Sequence, residues 1–366
     1  MDQRACLVWS PINAIEGGAV EYPTEIAKML DDCPIYSYAF PPELNDQSSV
    51  EFRDFARSSS TAKILRQLPL SQLYINIKYA SWKPPAEFDV FVSRGPKAIH
   101  TVQRLGQRHV HLFDGSYRGF FLHKDRYGAF HDKPELAQFV IGMFRQHIRT
   151  AIQGAIHSID HVVVNSEWTA DLVESMFDRE ADSVIYPAMP VDSYSPDYRD
   201  DPEPYYLYLG VIDEHHRVQE VVEAFDGLPY RLKIAGDGSR RSKLEQQASS
   251  NVEFCGYVTG EEKRKLLANA EALVNPTNHS FGRVIVESLA SGRPVISVNE
   301  GYTPYILTDG ESGILYDRGS ESLADAVRRY QSEGVEARPD DLTAVTEKYR
   351  RENQQRKWQT VVFDSE

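Results

Sequence analysis

The segment "EALVNPTNHSFGRVIVESLASGRPVISV", residues 271–298, decides the fold. It contains a strand, "ALVNP", a polar turn, a helix that begins at Arg283, and a second strand, "PVISV". Short apolar strands that alternate with helices are typical of parallel sheets covered by helices on both faces. Inside the apolar helix stands one carboxylate, Glu287. It is either a solvated position on an amphipathic helix or a group that receives a ligand.

The same alternation of strands and helices extends along most of the chain. Several strand candidates are almost continuously apolar, as strands buried on both faces are. The candidates are "ACLVWS", "IYSYAF", "LYINIK", "DVFVSR", "HVHLFD" and "HVVVNS", then "YYLYLG", "RLKIAG", "VEFCGY", "ALVNP", "PVISV" and the final run "GILYD". Between them lie helical patterns, such as the apolar residues spaced three and four apart over 136–156.

One stretch interrupts the alternation. Residues 192–204, "DSYSPDYRDDPEP", are rich in Pro, Asp and Tyr and have no period, so we interpret them as a linker. The sequence therefore predicts an N-terminal domain over 1–191 and a C-terminal domain over 205–345, followed by a helical stretch over 346–366. Two doubly wound, Rossmann-like α/β domains are expected to face each other across a cleft, with ligands at the carboxyl ends of their strands.

The composition excludes several classes of function. A net charge of −14 argues against a nucleic-acid-binding protein, which would present a basic surface. The three cysteines lack metal-site or redox spacing, and the adjacent His215 and His216 have no third ligand nearby, so no metal site is predicted. No apolar run approaches the ~20 residues of a membrane span, and the N-terminus lacks the features of a signal peptide. We expect a cytoplasmic protein whose membrane contact, if any, is peripheral to the inner face.

Several strand-to-helix turns have the chemistry of an anion site, because glycine admits a ligand and a helix N-terminus favours negative charge. Gly17 and Gly18 precede the first helix, although a Gly-Gly pair is as often an ordinary turn. In the C-terminal domain, Gly210 ends a strand, and His216 and Arg217 stand where the next helix begins. Lys243 follows another glycine turn, where a solvated helix start is an equally simple interpretation.

Two strand ends of the N-terminal domain hold polar candidates. Asp114 ends the strand "HVHLF" and precedes a loop with Arg118 and many aromatic residues. The simpler interpretation of that loop as a whole is a solvated segment whose aromatic side chains pack on the core. The position of Asp114 at a strand end instead favours a functional role. Asn165 ends a later strand and could touch a ligand, but Ser166 beside it is explained by helix capping alone.

The quoted turn is the best candidate for a nucleotide site. We predict that the backbone at Ser280, Phe281 and Gly282 approaches a phosphate, with the helix from Arg283 presenting its N–H groups. Glu287 lies one turn further on, and a carboxylate there could accept two hydroxyl groups of a ribose. A phosphate cradle beside a ribose clamp suits a nucleotide diphosphate.

Six blocks in the C-terminal domain occur in a specific order. They are "YLYLGVIDEHHRVQEVVEAF", "LKIAGDG", "NVEFCGYV", "ANAEALVNPT", "SFGRVIVESLASGRPVISVNEG" and "DGESGILYD". With these blocks the chain resembles a glycosyltransferase of family 4, the retaining GT-B type. The N-terminal domain is similar more loosely, through the Gly-Gly loop, "VVVNSEWTADLV" and "VIYPAMPVD".

The resemblance implies a fold and a reaction. Such enzymes bind a nucleotide-diphospho-sugar mainly on the C-terminal domain and an acceptor mainly on the N-terminal one, and their last helix crosses back to the first domain. They transfer the sugar with retention and usually need no metal or other cofactor. The acceptor implied here is a glycan, a lipid-linked oligosaccharide or a glycolipid. By this resemblance Asp114, Arg217 and His216 are the catalytic candidates, and Arg118 and Asn165 lie on the acceptor side.

The sequence departs from the family at the residues that matter most for charge. The usual Arg of the first loop is Val211, and the usual Lys is His216, followed by Arg217 in place of a Gly. The first glutamate of the family's pair falls on His279, while Glu287 is the second, and a third acidic position is Tyr305. Arg217 and His216 would restore the lost positive charge, and Arg283 or Lys243 could supply further positive charge.

These departures leave an alternative open. The chain could be a catalytically silent GT-B protein that binds a nucleotide sugar or partners an active transferase. A sugar-nucleotide epimerase is a weaker option, since the order of the six blocks speaks against it. At the family's "His-x-x-x-Arg" motif Asp114 replaces the His, and Arg118 matches the Arg.

Overall fold

The chain of the computed structural model divides into two units. Unit 1 comprises Met1–Pro187 and Glu352–Glu366, and unit 2 comprises Ala188–Arg351. The structure describes residues 3–10, 18–55, 71–115, 150–196 and 204–364.

Unit 1 is built on a parallel sheet with the strand order β3-β2-β1-β4-β5-β6-β7. The strands are β1 (Ala5–Trp9), β2 (Ile35–Ser37), β3 (Phe52–Asp54), β4 (Val90–Arg94), β5 (Arg108–Phe113), β6 (His161–Val164) and β7 (Ser183–Val184). The α-helices are α1 (Gly18–Met29), α2 (Leu44–Gln47), α3 (Ser71–Ser81) and α4 (Glu167–Phe177), and residues 150–156 are also helical. A short 3-10 turn spans Ala98–His100.

Unit 2 is built on a second parallel sheet with the order β10-β9-β8-β11-β12-β13. Its strands are β8 (Tyr205–Leu209), β9 (Leu232–Ala235), β10 (Val252–Gly256), β11 (Ala270–Asn275), β12 (Val295–Val298) and β13 (Gly313–Tyr316). Its α-helices are α5 (Val218–Asp226), α6 (Arg241–Gln247), α7 (Gly260–Asn269), α8 (Arg283–Ala290), α9 (Thr303–Ile306), α10 (Leu323–Glu333) and α11 (Pro339–Val345). Short 3-10 turns span Val191–Ser193 and Glu347–Tyr349.

The prediction of two doubly wound α/β domains is confirmed. In each sheet the order reverses once, between β1 and β4 in unit 1 and between β8 and β11 in unit 2. The apolar strand residues are buried on both faces, as in the run Tyr205–Tyr208, because helices pack on either side of the sheet. The carboxyl ends of the strands are thus left as the edge where polar loops collect.

The prediction of a strand at "LYINIK" is wrong, since these residues belong to helix α3. A short, largely apolar run suggested a strand. The helix instead uses the four-residue spacing of Ile75 and Tyr79, which places both side chains in the core, while Ile77 between them is 55% exposed. Packing of one helical face outweighed a pattern that also fitted a strand.

The sequence reading missed two strands, β3 and β7. They are three and two residues long and lie at opposite edges of the sheet of unit 1. Edge strands pair on one side only and need no continuous apolar run, so hydrophobicity does not reveal them.

The last helix, α12 (Arg351–Phe363), packs on unit 1. The backbone N–H of Tyr186 donates to Oε1 of Gln354 over 3.1 Å, and the guanidinium of Arg108 donates to the carbonyl of Val361 over 2.8 Å. Trp358 and Val362 are buried. In the described ranges, no helix has the length and apolar character needed to cross a bilayer.

A polar cluster lies in the core of unit 1. Oγ of Ser93 on β4 is 2.6 Å from Nε2 of His109 and 2.5 Å from Nδ1 of His111, both on β5. Burial lowers the pKa of His109 to about 3 and lowers that of His111 well below its usual value. Both imidazoles are therefore neutral at physiological pH, and the hydroxyl can donate to one ring and accept from the other.

We expect this cluster to make unit 1 sensitive to acid. In the unfolded chain His109 titrates near 6.5, so between that pH and about 3 the unfolded state binds the extra proton. Stability contributed by the neutral ring is complete above pH 6.5 and falls by about 1.4 kcal/mol per pH unit below it.

The measurement is the free energy of unfolding against pH for the wild type, His109→Gln and His157→Gln. The first variant removes the buried titration but keeps a hydrogen-bonding side chain. The second changes an exposed histidine of the same unit. The pH slope should become shallower only in His109→Gln, and equal slopes in all three proteins would refute the assignment.

Candidate functional site

The candidate site of unit 2 lies at the carboxyl edge of its sheet. Strands β8, β11, β12 and β13 are parallel, so the loops that follow them emerge at the same edge. Because β8 lies beside β11, their loops turn toward opposite faces of the sheet and leave a crevice between them. This is the point at which doubly wound sheets bind ligands.

Glycines fix the first loop, which follows Gly210. A Cβ on Gly236 would overlap the carbonyl of Gly210, and one on Gly238 would overlap the carbonyl of Ile212. Both glycines also have positive φ angles, 144° and 157°. The turn after β9 can therefore press against the turn after β8, and only glycine allows that approach. Val211 is 49% exposed on this loop.

A carboxylate holds His216 at the end of this loop. Oδ1 of Asp213 accepts the backbone N–H of His216 over 2.9 Å and lies 2.7 Å from its Nδ1. Burial raises the pKa of Asp213, but the bonds from His216 outweigh it and lower the pKa overall. The proton of a neutral His216 is thus held on Nδ1, facing the carboxylate.

Arg217 begins the next helix in an unusual conformation. Its φ and ψ are 52° and 32°, and it caps helix α5, which starts at Val218. A left-handed arginine is strained and is kept only where the surroundings require it. The side chain is 41% exposed, and its Nη1 lies 3.6 Å from Oε2 of Glu220. This cation therefore remains largely accessible at a helix N-terminus.

The second loop places His279 beside the first. The two imidazole rings of His216 and His279 are 6.3 Å apart between centroids. Nε2 of His279 is 3.0 Å from Oδ1 of Asn275, whose amide group donates to Thr277 and Ser297. Those two bonds orient the amide, so its oxygen accepts from His279. A neutral His279 therefore has its proton on Nε2, and Nδ1 gains one only in the charged form.

The turn at residues 280–283 leads into α8. Gly282 has a φ of 76°, and a Cβ there would collide with the side chain of Ile285. Helix α8 starts at Arg283, directly after the turn that contains Ser280. The side chain of Phe281 is only 4% exposed, so this residue can offer a ligand its backbone but not its ring.

Aromatic rings support that turn. Phe281 stacks on Tyr302 with centroids 5.6 Å apart, and Tyr302 stacks on Tyr305 at 6.0 Å. The hydroxyl groups of Tyr302 and Tyr349 are 2.8 Å apart. Tyr305, at the family's third acidic position, is 40% exposed and forms the outer end of the stack. An aromatic ring therefore stands where the family resemblance implied a carboxylate.

Glu287 is not a solvated position, so that interpretation is wrong. Its side chain is 8% exposed, and Oε1 accepts from Nζ of Lys263 over 2.8 Å. Burial, and then a hydrogen bond to Glu287, raises the pKa of Tyr194, which therefore remains a protonated donor. A buried carboxylate needs such partners, because an unpaired charge in this environment costs several kcal/mol.

The structure thus brings His216, Arg217, His279 and the 280–283 turn together in unit 2, with Glu287 one helical turn further along. Lys243 is exposed in the first turn of the seven-residue helix α6. Its predicted place in the donor site stays a prediction.

Unit 1 has its own polar cluster at the carboxyl edge of its sheet. Asp114 is 7% exposed and forms an ion pair with Arg94, whose Nε donates over 2.8 Å. The same guanidinium lies over the ring of Trp9, 5.2 Å from its centroid. Arg94 ends β4 and Asp114 follows β5, the neighbouring strand, so the sheet itself brings the pair together.

The remaining candidates of unit 1 have structural roles or lie outside the described residues. Oδ1 of Asn165 accepts from the hydroxyl of Thr169 over 2.7 Å, and the residue is buried. Ser166 is the N-cap of α4, as predicted. Gly18 is the first residue of α1. Gly17 and Arg118 lie outside the described residues.

Sequence reasoning missed several partners of the site residues. Arg94 could have been found by the rule that selected Asp114, since it too ends a strand. Asp213 precedes His216 by three residues, which is the spacing of a local turn. Lys263 has no local signal, because 24 residues separate it from Glu287. In the described part of the chain no group of three or more His, Cys, Asp or Glu side chains could hold a metal ion.

The segment that contains the candidate site matches a known family model. Residues 203–333 match the family model described as "Glycosyl transferases group 1". The match includes β8 to α10, and so contains His216, Arg217, His279 and Glu287.

Two relatives match parts of the chain. The D-rhamnosyltransferase WbpZ of Pseudomonas aeruginosa is 28% identical over 208 residues, which cover 50% of this chain and 54% of that protein. The GDP-mannose-dependent alpha-(1-6)-phosphatidylinositol dimannoside mannosyltransferase of Mycobacterium tuberculosis is 38% identical over 106 residues, covering 28% and 27%. The match thus spans about half of the first relative and about a quarter of the second.

A solved structure extends the likeness to the whole chain. The crystal structure of Anabaena HepE in complex with UDP-glucose has a TM-score of 0.69 at 15% identity, covering 97% of this chain and 98% of that one. The chain has the GT-B fold. The predicted fold class is thereby confirmed.

We predict that Lys263 stabilises unit 2 through Glu287. Lys263→Ala would leave the buried carboxylate with Tyr194 alone. Since the lysine is 26% exposed and the pair partly screened, the expected loss is about 1–2 kcal/mol of unfolding free energy.

Lys265→Ala is the matched control, because Lys265 lies on the same helix and pairs with Glu261 at 3.0 Å on the surface. It should leave the denaturation midpoint unchanged within error. Equal effects of the two substitutions in chemical denaturation would show that the pair with Glu287 has no special weight.

Proposed function

We propose that this protein is a retaining glycosyltransferase that moves a sugar from a nucleotide-diphospho-sugar to a glycan, a lipid-linked oligosaccharide or a glycolipid. The observation that carries the proposal is the joint placement of Arg217, His216 and His279 beside the turn before α8. These groups combine cations and a helix N-terminus at the crevice of a doubly wound sheet. All of them lie in the segment that matches the glycosyltransferase family model.

The relatives support this class of reaction. By their names, one transfers D-rhamnose and another is a GDP-mannose-dependent mannosyltransferase that acts on a phosphatidylinositol dimannoside. HepE was crystallised with UDP-glucose. A UDP- or GDP-sugar is therefore the first donor class to test.

Departure of the nucleoside diphosphate is the step that this site would assist. As the bond between the anomeric carbon and the phosphate oxygen breaks, the bonding electrons move to that oxygen and its negative charge grows. Arg217 and the N–H groups at the start of α8 would stabilise this charge, and so would His216 in its doubly protonated form, in which Nε2 also donates. Arg283 and Lys243 are the reserve cations, and we propose that no metal ion is needed.

Glu287 and His279 would bind the rest of the donor. Glu287 accepts from Lys263 and Tyr194, which fix its position, and its carboxylate would bind two ribose hydroxyl groups. His279 would face the sugar, and its Nδ1 can accept from a hydroxyl when the ring is neutral. Gly210, Ser280, Phe281 and Gly282 would contribute backbone.

The acceptor side is assigned to unit 1. Asp114, which is paired with Arg94, would orient or polarise an acceptor hydroxyl, and Arg118 and Asn165 would lie on the same side. We place the protein in the cytoplasm, with peripheral contact at the inner membrane face where a lipid-linked acceptor would be reached. The domain roles proposed from the sequence, with 346–366 returning to the first domain, complete this scheme.

A donor panel tests the proposal. A UDP-, GDP-, ADP- or dTDP-sugar at about 100 times its dissociation constant should stabilise the protein by about 2.7 kcal/mol, seen as a shift in melting temperature. The true donor should also release its sugar slowly to water, with and without EDTA. Binding without release for every donor would instead favour a catalytically silent GT-B protein, and a loss of activity in EDTA would refute metal independence.

Two substitutions should separate the proposed roles. Arg217→Ala is expected to lower kcat about tenfold to a hundredfold, because it removes charge that acts on the departing diphosphate. Glu287→Gln should mainly raise the donor KM, because it weakens a contact made equally before and during the reaction. Steady-state kinetics with Arg328→Ala, an exposed arginine on α10, as control would show whether either effect is merely one of surface charge.

A further inference from the structure

Arg318 follows β13 directly and reaches back across the carboxyl edge of the sheet in unit 2. Its side chain is 20% exposed. Nη1 lies 2.8 Å from Oε1 of Glu300, Nη2 donates to the carbonyl of Pro276, and Nε lies 3.6 Å from Oε2 of Glu220. One guanidinium therefore connects the loops after β11, β12 and β13 with the first turn of α5.

Glu220 is the point at which this network meets the proposed site. Its Oε1 accepts the hydroxyl of Tyr316 over 2.6 Å. Its Oε2 is 3.6 Å from Arg318 and also 3.6 Å from Nη1 of Arg217. Both separations exceed a strong hydrogen bond, so the carboxylate is shared between two arginines and is bound tightly by neither.

The carboxylate of Glu220 affects how a diphosphate could bind to Arg217. A carboxylate beside Arg217 competes with a phosphate for the same guanidinium, since both accept from its N–H groups. The competition weakens when another cation lies near the carboxylate and offsets its charge. Arg318 is placed to do this. Because it is mostly buried and its two terminal nitrogens are hydrogen-bonded to Glu300 and Pro276, it cannot follow the ligand itself.

Glu300, one of the partners of Arg318, also contacts the loop that carries His279. Oε2 of Glu300 accepts from the amide of Asn278 over 3.3 Å, next to His279 in the chain. Gly301 lies so close that a Cβ there would overlap Oδ1 of Asn278 and the carbonyl of His279. Arg318 and Glu300 therefore help to fix the loop after β11, which carries His279.

We propose that Arg318 is a positioning residue, which neutralises Glu220 so that Arg217 stays available to the diphosphate of the donor. The inference rests on the proposed function, because it concerns the same anion site. It assigns Arg318 no contact with the ligand. Its effect passes through Glu220, and this route makes it testable.

The test measures the dissociation constants of UDP and GDP by calorimetry for the wild type and four variants. In Arg318→Met, Glu220 loses its buried partner and holds Arg217, so the dissociation constant of the nucleotide that the wild type binds should rise about tenfold. In Arg318→Met combined with Glu220→Gln, the competing charge is gone, and affinity should return to within about threefold of the wild type. Glu220→Gln alone should bind at least as tightly as the wild type.

Arg329→Met is the matched control. Arg329 also joins two carboxylates and a carbonyl, with contacts of 3.1 Å to Glu321, 3.0 Å to Asp309 and 2.8 Å to Leu315, and is similarly buried. Its loss should lower stability without changing the dissociation constant. A purely structural role for Arg318 would instead give similar affinity losses in both single variants.

The outcomes separate the two proposals. If the wild type binds neither UDP nor GDP, ADP and dTDP are measured in the same way, and binding of none of the four refutes the anion site and with it the role of Arg318. If the wild type binds and Arg318→Met binds equally well, only the inference about Arg318 is overturned. Failure of Glu220→Gln to restore the affinity of Arg318→Met would likewise overturn it, since the effect would not pass through Glu220.

Discussion

The proposed site depends on the pairing of β8 with β11 at the centre of the sheet in unit 2. Because these neighbours are parallel but not consecutive, the chain leaves them toward opposite faces, and the crevice between their loops is a consequence of topology. His216 and Arg217 follow β8, while His279 and the turn before α8 follow β11. In unit 1 the strand order reverses between β1 and β4, and the pairing of β4 with β5 puts Arg94 next to Asp114.

Charge is the second constraint. The edge of the sheet in unit 2 holds several carboxylates that are partly or fully withdrawn from water, and each is matched by a cation or a hydroxyl. Lys263 pairs with Glu287, and Arg318 pairs with Glu300. Glu220 accepts the hydroxyl of Tyr316 and lies near Arg318. Such pairs contribute little net stability compared with apolar packing, but they specify the positions of their side chains. The diphosphate site that we propose would need that order more than it would need stability.

The structure shows the surroundings of the residues that depart from the family pattern. Val211 is exposed where a cation is usual, and Arg217 stands at the start of the following helix in a left-handed conformation. Tyr305 ends a stack of three aromatic rings where a carboxylate is usual. Compared with the family pattern, the cation stands a few residues later in the same loop, and an aromatic ring replaces a carboxylate at position 305. Under the proposed function, these are the residues in which a distinct donor preference would reside.

The sequence by itself determined the two doubly wound domains, since apolar runs such as "YYLYLG" and the glycine turns at Gly236 and Gly282 have a local physical cause. It also selected residues at strand ends, because a strand end is legible from a break in hydrophobicity. It placed a strand at "LYINIK", where two patterns overlapped and only packing of Ile75 and Tyr79 could choose between them. Tertiary structure alone decided the charge partners: 24 residues separate Lys263 from Glu287, and 98 separate Arg318 from Glu220 (318 − 220), so no local pattern connects them. Ion pairs form between side chains that the fold brings close, and that proximity exists only once the sheet has set the order of its strands.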